Sequence, residues 1–221
     1  MSLLPVLASA LAIMQSAPMT DAGKAVLAEE QDRLSRCIET IETDPEAAYE
    51  DALAWLGNGG RPAARHCAAL ALIELGYPDE GAARLEDLAN APDGGDIETR
   101  AVYLAKAGNA WLVAGYPEAA ITTLDNALKL RPGDRDLLID RAAARLAIEQ
   151  WDAAVGDLNE ILVIAPGDPG ALELRARALL ELGRYTSALS DVSVARVTAP
   201  ENIDLLVLRG EIREAQRLDG R

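Results

Sequence analysis

Apolar residues recur every three or four positions along most of the chain, the spacing that places them on one face of an α-helix. Three such runs are each followed by a tight turn, at Gly115-Tyr116-Pro117, Glu149-Gln150 and Gly183-Arg184. A second run at helical spacing follows each turn and ends at a proline. Asp44-Pro45 and Asp168-Pro169 mark helix starts, because aspartate caps a helix and proline suits its first position. The pattern predicts an all-α chain of paired helices.

These helix pairs repeat with a fixed period of about 34 residues, a length that accommodates two helices and a turn. The period is shared by Pro132, Pro166 and Pro200, by Leu104, Leu138, Leu172 and Leu206, by Ala120, Ala154 and Ala188, and by Leu124, Leu158 and Val192. Small residues also recur on the first helix of each pair, at Gly108, Ala142, Ala176 and Gly210. Larger side chains at such positions would push two packed helices apart. A fixed period of this kind is typical of stacked repeat architectures.

A helix-turn-helix unit with this period and these small and bulky positions resembles the tetratricopeptide repeat. The resemblance implies a right-handed α-solenoid closed by a C-terminal capping helix. We expect an array over residues 61–218, with a degenerate unit at 62–92, full units at 101–134, 135–168 and 169–202, and the cap at 203–218. Residues 93–100 are predicted to connect the first two units, and residues 23–60 to form a divergent N-terminal helical pair.

Residues 1–22 are set apart by composition. Leu3 to Met14 form an apolar run of signal-peptide length that is too short to span a bilayer. No Lys or Arg precedes the run, so the pattern predicts either a signal peptide or a disordered N-terminus. A signal peptide predicts a periplasmic or secreted protein, and the alternative is a cytoplasmic one.

The charge and the scarcity of reactive side chains narrow the function. The net charge is -15, from 36 acidic and 21 basic residues, which disfavours binding to nucleic acid or to anionic lipid. One histidine, His66, and two cysteines cannot supply a typical zinc site. His66 and Cys67 are neighbours in sequence, so on a helix they point in different directions. We expect no metal, no cofactor, no catalytic residue, no small-molecule substrate and no integral membrane segment.

The resemblance implies that another protein or peptide binds in a concave groove lined by the first helices. The residues predicted to line it are His66, Leu70, Ile73, Val102, Asn109, Leu112, Val113, Ile139, Leu146 and Arg177, together with Ala105, Ala143, Glu173 and Leu180. Its apolar middle and charged end suit an amphipathic helix or an apolar peptide. The predicted function is a non-enzymatic adaptor. The alternative is a structural or assembly subunit that uses the convex face or the array ends.

Some relatives of this repeat family bind acidic C-terminal chaperone peptides through a clamp of Lys, Asn and Arg. Asn109 matches one clamp position. Ala105, Asp140, Gly170 and Leu174 stand where the other clamp residues are needed. The sequence therefore argues against that ligand.

The resemblance also suggests two kinds of cross-link between helices. Cys37 and Cys67 fall on first helices of adjacent pairs, which pack side by side in this family, so a disulfide is predicted in an oxidising compartment. In a reducing compartment the same residues would be small buried hydrophobes. Arg141, Arg175 and Arg209 recur at the period of the repeat, as do Asp157 and Asp191, and forward pairs are predicted: Asp157 with Arg175 and Asp191 with Arg209. The alternative is that these are solvated charges.

Overall fold

The computed structural model describes residues 20–59 and 61–220, which form eleven α-helices and no strand. In chain order they are α1 (Asp21–Ile41), α2 (Pro45–Leu56), α3 (Pro62–Glu74), α4 (Pro78–Asn90), α5 (Ile97–Val113), α6 (Pro117–Leu130), α7 (Arg135–Ala147), α8 (Trp151–Ile164), α9 (Pro169–Glu181), α10 (Tyr185–Thr198) and α11 (Ile203–Asp219). The predicted all-α class is confirmed. The apolar run predicted as a signal lies outside the described residues.

The helices stack in chain order. Each helix packs on the next one, and first helices of successive pairs also meet, as α1 does with α3, α5 with α7, α7 with α9 and α9 with α11. The rings of His66 and Tyr103 join α3 to α5 in the same way. Helices that meet across successive repeats lie on the inner side of a curved array. The first helices α3, α5, α7, α9 and α11 therefore form one continuous inner surface, which we call the inner groove.

Aspartates begin several of these helices, as the sequence predicted at two of them. The Asp44 side chain accepts a hydrogen bond from the Ala47 amide at 3.0 Å, and Asp168 accepts one from the Ala171 amide at 2.9 Å. In both helices a proline follows at the first helical position. These contacts satisfy amides that have no partner within the helix.

Helix α5 starts earlier than the sequence indicated, because it includes part of the predicted connection 93–100. Asp96 caps it, accepting from the Thr99 amide at 2.9 Å, so the helix begins at Ile97. Arg100 then donates to the carbonyl oxygens of Ala89 and Ala91, at 2.5 and 2.8 Å. A side chain of α5 thus satisfies the last carbonyls of α4, and the connection shortens to residues 91–96.

The small residues predicted at helix crossings are buried, with one exception. At Gly108 an added Cβ would lie 2.6 Å from Cγ of Leu124. Ala142, Ala154 and Ala176 have no exposed surface. Gly210, however, has no atom within 4 Å of such a Cβ, because no second helix follows α11 in the described residues. The prediction that Gly210 sits at a close approach is wrong.

Replacing Ala154 by leucine should destabilise the chain by about 1 to 3 kcal/mol, because the site is closed and the extra atoms would overpack the interface. Urea unfolding followed by circular dichroism measures this. The matched control is Ala153→Leu, on the exposed side of the same helix, for which we expect about 0.5 kcal/mol or less. Equal unfolding midpoints for the two variants would contradict the packing described here.

The predicted forward pairing of arginines and aspartates is wrong, since Arg141 and Arg175 pair within their own repeats. Arg175 Nε and Nη2 donate to the two carboxylate oxygens of Asp191, both at 2.7 Å. Arg141 makes the same fork with Asp157, at 3.1 and 2.6 Å. Each first helix lies between its own second helix and the second helix of the preceding repeat. Nη1 therefore donates to that preceding repeat: Arg141 donates to Asp125, and Arg175 donates to Asn159. The arginines do reach the preceding repeat, as the predicted pairs required, but through Asp125 and Asn159 and not through Asp157 or Asp191.

Candidate binding groove

The ten residues predicted to line the groove lie on α3, α5, α7 and α9, with different exposure. Val102, Asn109 and Val113 are exposed, Val113 by 75%. Six are half-buried: Leu70, Ile73, Leu112, Ile139, Leu146 and Arg177. The half-buried aliphatic side chains pack partly on the core and present the rest of their surface outside it.

His66 is the exception, because it is buried and does not line the exposed groove. It is 6% exposed, and its ring meets the Tyr103 ring edge-on with centroids 4.8 Å apart. Burial, with a smaller contribution from the charge of Lys106, lowers the pKa of His66 to about 4. The imidazole is therefore neutral at pH 7. Tyr103 comes from the next repeat, and sequence reasoning did not place it over His66.

The buried neutral His66 should make the chain acid-sensitive. Its pKa in the unfolded chain is near the ordinary value of 6.5, so below that pH the unfolded chain binds a proton that the folded chain excludes. Stability is lost as the pH falls from 6.5 towards 4, by up to about 3 kcal/mol from this residue. Urea unfolding at several pH values measures this. The free energy of unfolding should fall less steeply with decreasing pH in His66→Phe than in the unaltered chain. Parallel curves for the two proteins would contradict this account.

Asn109 and Asp140 join α5 to α7 at the groove. The Asn109 Nδ2 donates to Asp140 Oδ2 at 2.9 Å. Burial raises the pKa of the Asp140 carboxyl, and although the Asn109 hydrogen bond opposes this, the charges of Asp136 and Asp134 add to it. Among the described residues Asp140 has no ion pair with a lysine or arginine. The carboxylate is thus partly desolvated and lacks a neutralising cation.

A small cavity opens in the groove near its C-terminal end, where α7, α9 and α11 meet. It encloses about 220 Å³ and is lined by Leu146, Trp151, Arg177, Leu180, Glu181, Leu208 and Glu211. We call it the anchor cavity. Two predicted groove residues, Leu146 and Arg177, meet here. Trp151, the first residue of α8, also forms part of its wall.

A larger hollow of about 510 Å³ lies at the N-terminal end of the array, where sequence reasoning predicted no site. Its apolar wall includes Leu27 and Leu34 from α1, Ala63 from α3 and Tyr103 from α5. Glu30 at its edge lies 3.5 Å from Arg61. The hollow depends on how α1 docks, and the divergent sequence before residue 61 carries no repeat register from which that docking could be read.

The predicted cysteine pair fixes that docking. Cys37 of α1 and Cys67 of α3 form a disulfide, with Cα atoms 6.1 Å apart. Both cysteines are buried in a cluster that includes Ile41, Trp55 and Ala68. Because Cys67 is disulfide-bonded, it is not a free thiol beside His66. The neighbours His66 and Cys67 therefore do not form a histidine-activated thiol nucleophile.

Within 20–59 and 61–220, no group of histidine, cysteine, aspartate and glutamate side chains is arranged to hold a metal ion. No helix in this part of the chain is both long and apolar enough to cross a membrane.

Solved structures with the same arrangement of helices are tetratricopeptide-repeat proteins. A tetratricopeptide repeat protein from Parabacteroides merdae matches 85% of this chain and 73% of its own, with a TM-score of 0.70 and 15% identity. MamA from Desulfovibrio magneticus matches 72% of this chain and 89% of its own, with a TM-score of 0.61 and 22% identity. The second such domain of human RPAP3, in complex with an HSP70 peptide, matches 53% and 98%, with a TM-score of 0.51 and 21% identity.

No family model and no curated protein sequence matches the chain. At these identities the structural matches establish the fold. Together with the periodic sequence and the eleven stacked helices of the described residues, they show that the chain has the tetratricopeptide-repeat fold.

Proposed function

We propose that this protein is a non-enzymatic adaptor that binds a peptide or a helix of another protein in its inner groove. The observation that carries the proposal is the groove itself, which combines exposed apolar side chains on α5 with the anchor cavity between α7, α9 and α11. A helix or extended segment buries its apolar side chains in a surface of this kind. The RPAP3 domain supports the proposal, because a protein of the same fold is bound there to a peptide.

A pair of charges in the groove should abolish binding. Val102→Glu with Val113→Lys alters two exposed side chains and leaves the net charge unchanged. Leu112→Lys with Val113→Glu places the same two charges at adjacent positions of α5. Binding is measured by capture of the partner from the source cells, and circular dichroism verifies that the helices are intact. We expect both variants to lose the partner and to keep their helicity.

The control pair lies on a second helix and also tests the alternative function. Val163 and Ile164, at the end of α8, are 82% and 78% exposed, and Val197 at the end of α10 is 81% exposed. These exposed apolar residues, at the ends of two second helices, are the observation that favours an assembly subunit using the outer face. Val163→Lys with Ile164→Glu should leave the partner bound. Loss of the partner in this variant alone would instead support assembly through the outer face.

We further propose that the protein is exported to the periplasm or secreted. Two features support this: the apolar run Leu3 to Met14 in the sequence, and the disulfide between Cys37 and Cys67, since disulfides persist in oxidising compartments. The test is thiol titration of denatured, unreduced protein from fractionated source cells. Export predicts no reactive thiol and recovery outside the cytoplasm. Two reactive thiols in a cytoplasmic fraction would overturn it.

A further inference from the structure

The anchor cavity is lined by more negative than positive side chains. Of its three charged residues, Arg177 donates to Glu173 at 2.9 Å. Glu181 and Glu211 are exposed to solvent and, among the described residues, have no ion pair. The cavity thus combines apolar walls with two carboxylates and one arginine, and that arginine is paired with Glu173.

The same sign of charge continues along the groove. Asp140 on α7 is held by Asn109 and has no cationic partner among the described residues. The whole chain carries a net charge of -15. An anionic ligand would meet repulsion along this path, while a cationic one would supply the missing counter-charges.

We propose that the partner segment is a cationic amphipathic helix whose apolar face places one side chain in the anchor cavity and whose lysines or arginines contact Glu181 and Glu211. The proposal rests on the adaptor function and specifies the chemistry of the partner. A cavity of about 220 Å³ has room for one aliphatic side chain, and the carboxylates at its edge are placed to receive basic residues one turn away on the same helix.

The test uses a fluorescein-labelled synthetic helix of about 18 residues, built from leucine and lysine with the leucines on one face. A second peptide carries glutamate in place of every lysine, and a third carries serine in place of every leucine. Fluorescence anisotropy measures their binding to the full chain. We expect only the first peptide to bind. Equal binding of the glutamate peptide, or of the serine peptide, would overturn the proposal.

Matched variants distinguish binding at the anchor cavity from non-specific attraction of a cationic peptide to an acidic protein. Glu181→Lys with Glu211→Lys should weaken binding of the leucine-lysine peptide by about tenfold or more. Glu50→Lys with Glu160→Lys makes the same change in net charge on the exposed sides of α2 and α8, and should weaken it by about twofold or less. If the two pairs weaken binding equally, the attraction is non-specific and the proposal is wrong.

Binding of the native partner to these variants distinguishes the cationic-helix proposal from the adaptor function. A partner that is lost on Val102→Glu with Val113→Lys but retained on Glu181→Lys with Glu211→Lys would leave the adaptor function standing and overturn the cationic helix. A partner retained by both variants would overturn both proposals. Loss in both variants, with the control pair Glu50→Lys and Glu160→Lys unaffected, is the result we expect.

Discussion

Replacing Arg175 by methionine is expected to destabilise the chain by about 3 to 5 kcal/mol. Asp191, the partner of Arg175, is 5% exposed, and both of its oxygens accept from that one guanidinium. Without the arginine the carboxylate is buried with no counter-charge, which costs far more than an exposed ion pair contributes. Urea unfolding at neutral pH, read by circular dichroism, measures the loss.

Two further variants show whether the orphaned charge is the cause. Arg175→Met with Asp191→Leu removes both charges and should recover most of the lost stability. Arg141→Met removes the equivalent arginine one repeat earlier, but Asp157 keeps a second partner, Arg145 Nη1, at 2.6 Å. We therefore expect it to cost less than Arg175→Met. Equal losses for the two single variants would refute the explanation.

Removing the disulfide, by Cys37→Ala with Cys67→Ala, should cost about 3 to 4 kcal/mol by the loop-entropy relation for a separation of 30 residues. The bond ties α1 to α3 across the N-terminal cluster, where α1 otherwise packs on its neighbours α2 and α3. Because each repeat is stabilised by its neighbours, the loss should be concentrated at this end of the array. Hydrogen exchange of the α1 amides reports it directly.

Reduction of the unaltered chain provides the control for that experiment. The reduced protein should show the same fast exchange in α1 as the alanine variant, while amides of α7 to α10 keep their protection. Uniform loss of protection along the chain would instead mean that the array unfolds as a single unit. Unchanged α1 exchange on reduction would show that the bond adds no stability.

The sequence alone determined the repeat and most of the helices. The fixed repeat period, aspartates before prolines, and small residues at regular crossings are local or periodic signals. The aspartate before a proline placed the start of α2 at Pro45, as the structure has it. Such signals persist in a single sequence because the same helix pair, with the same packing requirement, occurs in each repeat. The cysteine pair followed from the family resemblance, which put both residues on adjacent first helices that pack side by side.

Only the tertiary structure decided which side chains meet between repeats. The pairing of Arg141 with Asp157 and of Arg175 with Asp191 depends on the position of each helix between two neighbours, which a period along the chain does not give. The same holds for the cover of Tyr103 over His66 and for the open space at Gly210. The anchor cavity is a stronger case, because its wall combines three first helices with Trp151 from the start of a second helix. Residues that share a surface only after stacking leave no common spacing in the sequence, so their charges and exposure could be read only from the folded array.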